Sequence, residues 1–89
     1  MDDREKLFID RVFSLEQEYY RNIRPYVKMK TDIYNLTIPV IIIRSEGVER
    51  TYNFTPEQGK ALEQIDEAIG YIQEQIKKSV EEARSLYRI

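Results

Sequence analysis

The C-terminal part of the chain holds the feature that most restricts its fold, an uninterrupted helical pattern. Apolar side chains recur there at alternating intervals of three and four residues, the spacing of a coiled-coil seam; they are Leu62, Ile65, Ile69, Ile72 and Ile76. The seam continues less regularly through Ser79 or Val80, Ala83 and Leu86. Because no proline follows Pro56, the pattern predicts a continuous helix from Pro56 to Tyr87, about 48 Å long.

The start of this helix is marked by its own sequence signal. Thr55 is suited to the N-cap, Pro56 to the first helical position, and Gln58 to the reciprocal bond of a capping box. Gly70 lies on the polar side of the predicted helix, where glycine costs about 1 kcal/mol relative to alanine. A well-packed seam offsets that cost. A break at Gly70, which would give two shorter helices, is the alternative.

An earlier helix is predicted from Asp3 to about Ile23. Its apolar residues form one broad stripe; they are Phe8, Ile9, Val12, Phe13, Leu15, Tyr19, Tyr20 and Ile23. Asp2 or Asp3 can cap this helix. We expect Pro25 to end or kink it, because the residue before proline avoids the α region, although Tyr26 and Val27 can add a further turn.

Two features of this region have a less regular pattern. Glu16 interrupts the apolar stripe, either as a partly exposed side chain or as a buried polar contact that fixes register. Residues 28–35 resemble a linker, since Thr31, Asp32 and Asn35 favour irregular backbone.

Residues 36–54 have the pattern of a β-hairpin that turns at Ser45, Glu46 and Gly47. A two-residue turn at Glu46 and Gly47 would pair Ser45 with Val48. A three-residue loop with Gly47 in the left-handed conformation would pair Arg44 with Val48 instead. We favour the longer loop because it sorts apolar side chains onto one face; that face holds Ile38, Val40, Ile42, Val48, Tyr52 and Phe54, with Arg50 as its only polar member. Ile41 and Ile43 then point outward on the other face.

The chain of 89 residues is therefore predicted to be one α+β domain, residues 1–89, with the order helix, two-stranded antiparallel hairpin, long helix. A compact chain of this length has a radius of gyration near 12 Å, so the last helix extends beyond such a body. The first helix is too short to cover it, and a lone ribbon with apolar edges is marginal. We therefore expect a homodimer, formed through the long helices, the hairpins or both.

The predicted self-association interface combines the seam with the outward isoleucines; it comprises Ile41, Ile43, Leu62, Ile65, Ile69, Ile72, Ile76, Val80 and Leu86. The alternative is a monomer whose last helix bends at Gly70 and whose residues 28–35 cover Ile41 and Ile43.

Composition argues against catalysis and against small-molecule cofactors. The chain has no histidine and no cysteine, so imidazole acid–base chemistry, thiolate nucleophiles and their metal sites are excluded. Three glycines in total do not make a phosphate-binding loop. Carboxylate pairs such as Glu63 and Glu67 are typical of solvated helix faces. We predict no enzymatic activity, no cofactor and no metal, and, since no apolar run approaches bilayer length and no secretory signal is evident, no membrane partner and a cytoplasmic location.

The basic segment at residues 19–30 supports a second hypothesis. Four cations and no acid lie between positions 21 and 30, with tyrosines among them, a pattern that suits single-stranded nucleic acid; the candidate contacts are Arg21, Arg24, Tyr26, Lys28 and Lys30. The same cations also suit the negative end of a helix, and the net charge of −2 disfavours a protein that coats nucleic acid. We therefore expect a protein-interaction or assembly module that binds itself and an unidentified protein partner, with a nucleic-acid-associated regulator as the alternative.

Overall fold

The computed structural model describes residues 2–89 and contains four elements. They are helix α1 (Asp3–Asn35), strand β1 (Val40–Arg44), strand β2 (Gly47–Thr51) and helix α2 (Pro56–Tyr87). The two strands pair antiparallel. The predicted order of helix, hairpin and long helix is confirmed.

Pro25 lies inside α1 and does not end it, so the predicted boundary near Ile23 is wrong. A proline in a helix interior removes one backbone hydrogen bond and costs about 3 kcal/mol. Its ring is exposed here and displaces no packed side chain. Beyond it, Tyr26 and Ile33 are half-buried, and their packing against α2 offsets the lost bond. The predicted linker at residues 28–35 is therefore the last part of α1.

Both helices begin at the predicted caps. Asp2 Oδ1 accepts hydrogen bonds from the backbone N–H groups of Arg4 and Glu5, at 2.7 and 3.0 Å. Thr55 Oγ1 accepts from the Gln58 N–H at 3.1 Å, and Gln58 Oε1 accepts from the Thr55 N–H at 3.0 Å. This completes the capping box. The helix then continues through Gly70 to Tyr87, so the alternative of a break at Gly70 is wrong.

The two helices pack against each other as an antiparallel pair. Lys30 Nζ donates to Asp66 Oδ1 at 2.9 Å, and Gln73 Nε2 donates to the Tyr19 hydroxyl at 3.1 Å, so contacts run in opposite directions along the two helices. With 33 and 32 residues the helices are matched in length. The expectation that the first helix is too short to cover the second is therefore wrong.

The core between the helices is one side chain thick. Within residues 2–89, the buried apolar side chains are Leu15 of α1 and Ile65 and Ala83 of α2. The molecule measures 55 × 33 × 16 Å and has a radius of gyration of 19.2 Å, far above the roughly 12 Å of a compact chain of this length. The helix pair is thus a thin stalk and not a closed globule.

The hairpin has a register that differs from both predictions. Ile43 pairs with Val48 and Arg44 with Gly47, so Ser45 and Glu46 form a two-residue connection. Gly47 is the first residue of β2, with a φ of 141°, a conformation that favours glycine. The prediction that this position needs a glycine was correct, but Gly47 follows the two-residue connection and is not part of it. Val48 therefore shares a face with Ile43 and not with Ile42, and the predicted sorting of apolar residues onto one face is wrong.

Candidate functional site

The β-hairpin is an exposed apolar part of the protein. All ten residues of its two strands are exposed, and neither strand packs against α1 or α2. Ile43 is 82% exposed. Ile41 and Ile43 are not covered by residues 28–35, so the monomer alternative, which also needs a bend at Gly70, is not the observed arrangement.

The register places apolar side chains on both faces of β1. Residues that pair across an antiparallel ribbon share a face, so Ile41 and Ile43 lie with Arg50 and Val48. The opposite face carries Val40 and Ile42, paired with Thr51 and Glu49. Strand β2 thus supplies most of the polar groups and β1 most of the apolar surface. In a two-stranded sheet each strand keeps one unpaired edge, and that of β1 has apolar side chains on either side.

An aromatic cluster fixes the base of the hairpin to the stalk. The ring of Tyr34, in the last turn of α1, forms T-shaped contacts with the rings of Tyr52 and Phe54 at centroid distances of 4.9 and 5.1 Å. Tyr52 and Phe54 stack on each other at 5.8 Å. Such pairs add to the energy of apolar burial. The ribbon is therefore held at its root, while its strands extend away from the helices.

The predicted seam of α2 faces α1 of the same chain. Ile65 is buried and its neighbours are half-buried; these neighbours are Leu62, Ile69, Ile72, Ile76 and Val80. The other three predicted interface residues, Ile41, Ile43 and Leu86, are exposed. The structure thus separates the predicted interface into an intramolecular seam and a set of exposed residues at the hairpin and near the C-terminus of α2.

Helix α1 carries a second apolar stripe that the sequence interpretation merged with the first. Phe8, Val12 and Leu15 turn toward α2 and are half-buried or buried, whereas Phe13 and Tyr20 are 62% and 61% exposed. The outer stripe follows a coiled-coil spacing of its own; its members are Ile9, Phe13, Glu16, Tyr20 and Val27, which are exposed, and Ile23, which is half-buried. A shallow groove separates the two stripes and is lined by Phe8, Ile9, Val12, Phe13 and Glu16. Two overlapping series with this spacing were the signal that could have identified the outer stripe.

The basic segment is divided between two sides of α1. Tyr26 and Lys30 are half-buried, and the Lys30 ammonium is bonded to Asp66 of α2. Arg21, Arg24 and Lys28 are exposed and share the outer side, since they are spaced by three and four residues. Lys28 forms an ion pair with Asp32 at 3.0 Å. The five predicted nucleic-acid contacts therefore do not form one surface.

Two titratable side chains, Lys30 and Asp2, have pKa values shifted by local hydrogen bonds. The hydrogen bond to Asp66 raises the pKa of Lys30, and the backbone N–H of Glu5 lowers the pKa of Asp2. Among residues 2–89 no acidic side chains come together in a group that could hold a metal ion. A shallow groove between the helices is lined by Tyr26, Met29, Ile33, Ala61 and Ile65 among others.

Comparison with protein-family models, curated proteins and solved structures finds no match to this chain. Of the two helices in the described residues, neither combines the length and the apolar character that crossing a bilayer requires.

Proposed function

We propose that this chain is a non-enzymatic protein-interaction module that acts as a homodimer and presents its β-hairpin to other protein chains. The observation that carries the proposal is the exposure of β1, in which Val40 and the three isoleucines after it lie outside any intramolecular core. A soluble chain rarely keeps such a surface uncovered. We further propose a cytoplasmic location, which rests on the absence of cysteine.

Strand addition is the contact that suits this geometry. An extended segment of another chain can bond to the free backbone edge of β1, and its alternate side chains can pack on apolar residues of either face. The aromatic cluster around Tyr34 holds the ribbon at its base, so the edge is presented in a fixed position and less conformational entropy is lost on binding.

Homodimerisation is supported by the small core of the single chain. Three buried side chains between two helices of more than thirty residues leave much of the apolar surface of α1 and the hairpin in contact with water. Light scattering at micromolar concentration should give twice the chain mass of 10.7 kDa. A mass equal to that of one chain would contradict this part of the proposal.

Site-specific photo-cross-linking tests the hairpin as the contact surface. A benzophenone amino acid at Ile43 should form adducts with other protein chains in cells that express the protein, because this side chain lies at the exposed ribbon. The same group at Lys60, which is exposed on α2, is the matched control. Equal adducts at both positions, or adducts at Ile43 that disappear on nuclease treatment, would count against the proposal.

Nucleic-acid binding remains the second candidate, favoured by the exposed cations Arg21 and Arg24 beside exposed Tyr20. A fluorescence-polarisation titration with a short RNA tests it. Phosphate-driven binding must weaken steeply as salt rises, and the double charge reversal Arg24→Glu with Lys28→Glu must abolish it. Under the interaction-module proposal the same variant keeps its photo-adducts at Ile43.

A further inference from the structure

The outer stripe of α1 has a symmetry that suits pairing with itself. Its positions are arranged in pairs around Glu18: Glu16 and Tyr20 lie two residues away, Phe13 and Ile23 five, and Ile9 and Val27 nine. A twofold contact requires a patch in which residue i meets residue j while j meets i. When two such helices run antiparallel with Glu18 at the centre, each member of the stripe meets the other member of its pair.

The charged side chains of α1 are also distributed unequally on the two sides of Glu18. Residues 2–18 carry six acidic and three basic side chains, and residues 19–35 carry one acidic and four basic ones, so the two halves have net charges of −3 and +3. An antiparallel pair brings the acidic half of each helix against the basic half of the other. A parallel pair would bring like charges together, which opposes that arrangement.

We propose that a second copy of this chain packs antiparallel along the outer stripe of α1, with the twofold axis crossing the helix at the level of residue 18. This inference rests on the proposed homodimerisation and names the surface that forms it. The occupant is a second copy because both the apolar positions and the charges of α1 are complementary to themselves. The seam of α2 is already packed against α1 within the chain, whereas most of the outer stripe of α1 is exposed and available to form the dimer.

The arrangement defines specific contacts between the two copies. Tyr20, Ile23 and Val27 of the second copy lie over the groove beside Phe13 and Ile9. The Tyr20 hydroxyl comes opposite the Glu16 carboxylate, and a hydrogen bond between them would fix the register. Along one border of the stripe, Asp10 meets Arg24 of the second copy, and the twofold axis repeats this ion pair. Lys28 on the same border is already paired with Asp32.

Cysteine cross-linking tests the antiparallel alignment, since the natural chain has no cysteine. In this dimer Ile9 lies opposite Val27 of the second copy, whereas the two Ile9 residues are about 27 Å apart, eighteen residues along the helix axis. A disulfide needs Cα atoms within roughly 7 Å. The variants Ile9→Cys and Val27→Cys should therefore remain uncross-linked alone and form the mixed disulfide when combined. Cross-linking of Ile9→Cys with itself would overturn the antiparallel arrangement.

Charge exchange tests the same surface without a cross-link. Arg24→Glu turns two exposed ion pairs into two repulsions, so we expect the self-dissociation constant to rise roughly 30-fold. Asp10→Arg should have a similar effect, and the double variant Asp10→Arg with Arg24→Glu should restore association. The control Lys78→Glu makes the same charge change at an exposed position on α2 and should leave the dissociation constant unchanged.

The outcomes distinguish this inference from the proposed function. A dimer that forms in all charge variants and gives no mixed disulfide would overturn the α1 surface while leaving homodimerisation intact. A wild-type mass of one chain would overturn both the dimer and this inference. Neither result depends on the photo-adducts of Ile43, which test the hairpin separately.

Discussion

Replacing Leu15 by alanine should destabilise the stalk more than any other truncation of a leucine in the chain. Leu15 is 2% exposed and is the most completely buried side chain among residues 2–89. Truncation of a buried leucine to alanine costs about 2–5 kcal/mol, depending on how far the site can collapse. The layer between α1 and α2 is open along both flanks, so the cavity can fill or close, and we expect the lower part of that range, about 2.5 kcal/mol.

Thermal unfolding followed by circular dichroism at 222 nm measures this loss. The unfolding entropy is about 2.1 cal/mol/K per residue, which for 89 residues converts about 2.5 kcal/mol into a fall of about 13 °C in Tm. Leu7→Ala is the matched control, since it removes the same atoms from the same helix at a side chain that is 51% exposed, and its Tm should fall by only a few degrees. Equal falls for the two variants would refute the assignment of Leu15 as the centre of the helix interface.

Three further predictions follow from single contacts. Thr55→Ala removes the N-cap of α2 and should lower the free energy of unfolding by about 1 kcal/mol, measured by urea titration. Gly70→Ala should raise the free energy of unfolding by about 1 kcal/mol, because no atom lies within 4 Å of the added Cβ. Gly47→Ala should lower the free energy of unfolding, because φ is 141° at this position. A fall in the free energy of unfolding for Gly70→Ala, or a rise for Gly47→Ala, in urea titrations would contradict this difference between the two glycines. Asp66 raises the pKa of Lys30, so the pair stabilises fully below the ordinary lysine pKa of about 10.4 and less as pH rises through the raised value. Lys30→Met should therefore cost about 0.5 kcal/mol near neutral pH, the scale of an exposed pair, and this difference from wild type should shrink in strongly alkaline urea titrations.

Helix α2 could be predicted to the residue because its sequence signals agree with one another. The capping box at Thr55, the proline at its first position and a seam with regular spacing all indicate the same helix. Gly59 and Gly70 oppose it, and the cost of a glycine, about 1 kcal/mol each, is small beside the packing of Ile65 and its neighbours. Local and tertiary preferences coincide in this helix, so the sequence was sufficient to predict where α2 begins and ends.

The C-terminal end of α1 was missed because a local rule was outweighed by a tertiary contact. Pro25 disfavours a helix at its own position, but the residues beyond it include Tyr26 and Ile33, whose burial requires α2. No window around Pro25 contains that partner, which lies more than thirty residues further along the chain. The same contact with α2 converts Thr31, Asp32 and Asn35 from expected linker residues into the last turns of the helix.

The hairpin register could not be predicted for a different reason. Register is fixed by sequence when one face of the ribbon is buried, since a slip then exposes apolar side chains. Here both faces are exposed, so the sorting of Ile42 and Val48 onto one face had no core to satisfy. The position of Gly47 decides the register instead, since its φ suits the start of β2. Of the candidate site, the outward exposure of Ile41 and Ile43 was predicted correctly even though the register was not.

The small core and the uncovered surfaces of this protein have a common origin. Two helices can bury only the stripes that face each other, and α1 has apolar residues on a wider arc than α2 can cover, as Phe13 and Tyr20 show. The hairpin adds three consecutive isoleucines to which the helices contribute no contact. Since the apolar area buried within one chain is limited, the proposed homodimer would add to the stability of the fold by covering part of the exposed apolar surface. Folding and assembly are then linked, and a change that weakens the α1 contact lowers the stability of the stalk together with the affinity of the dimer.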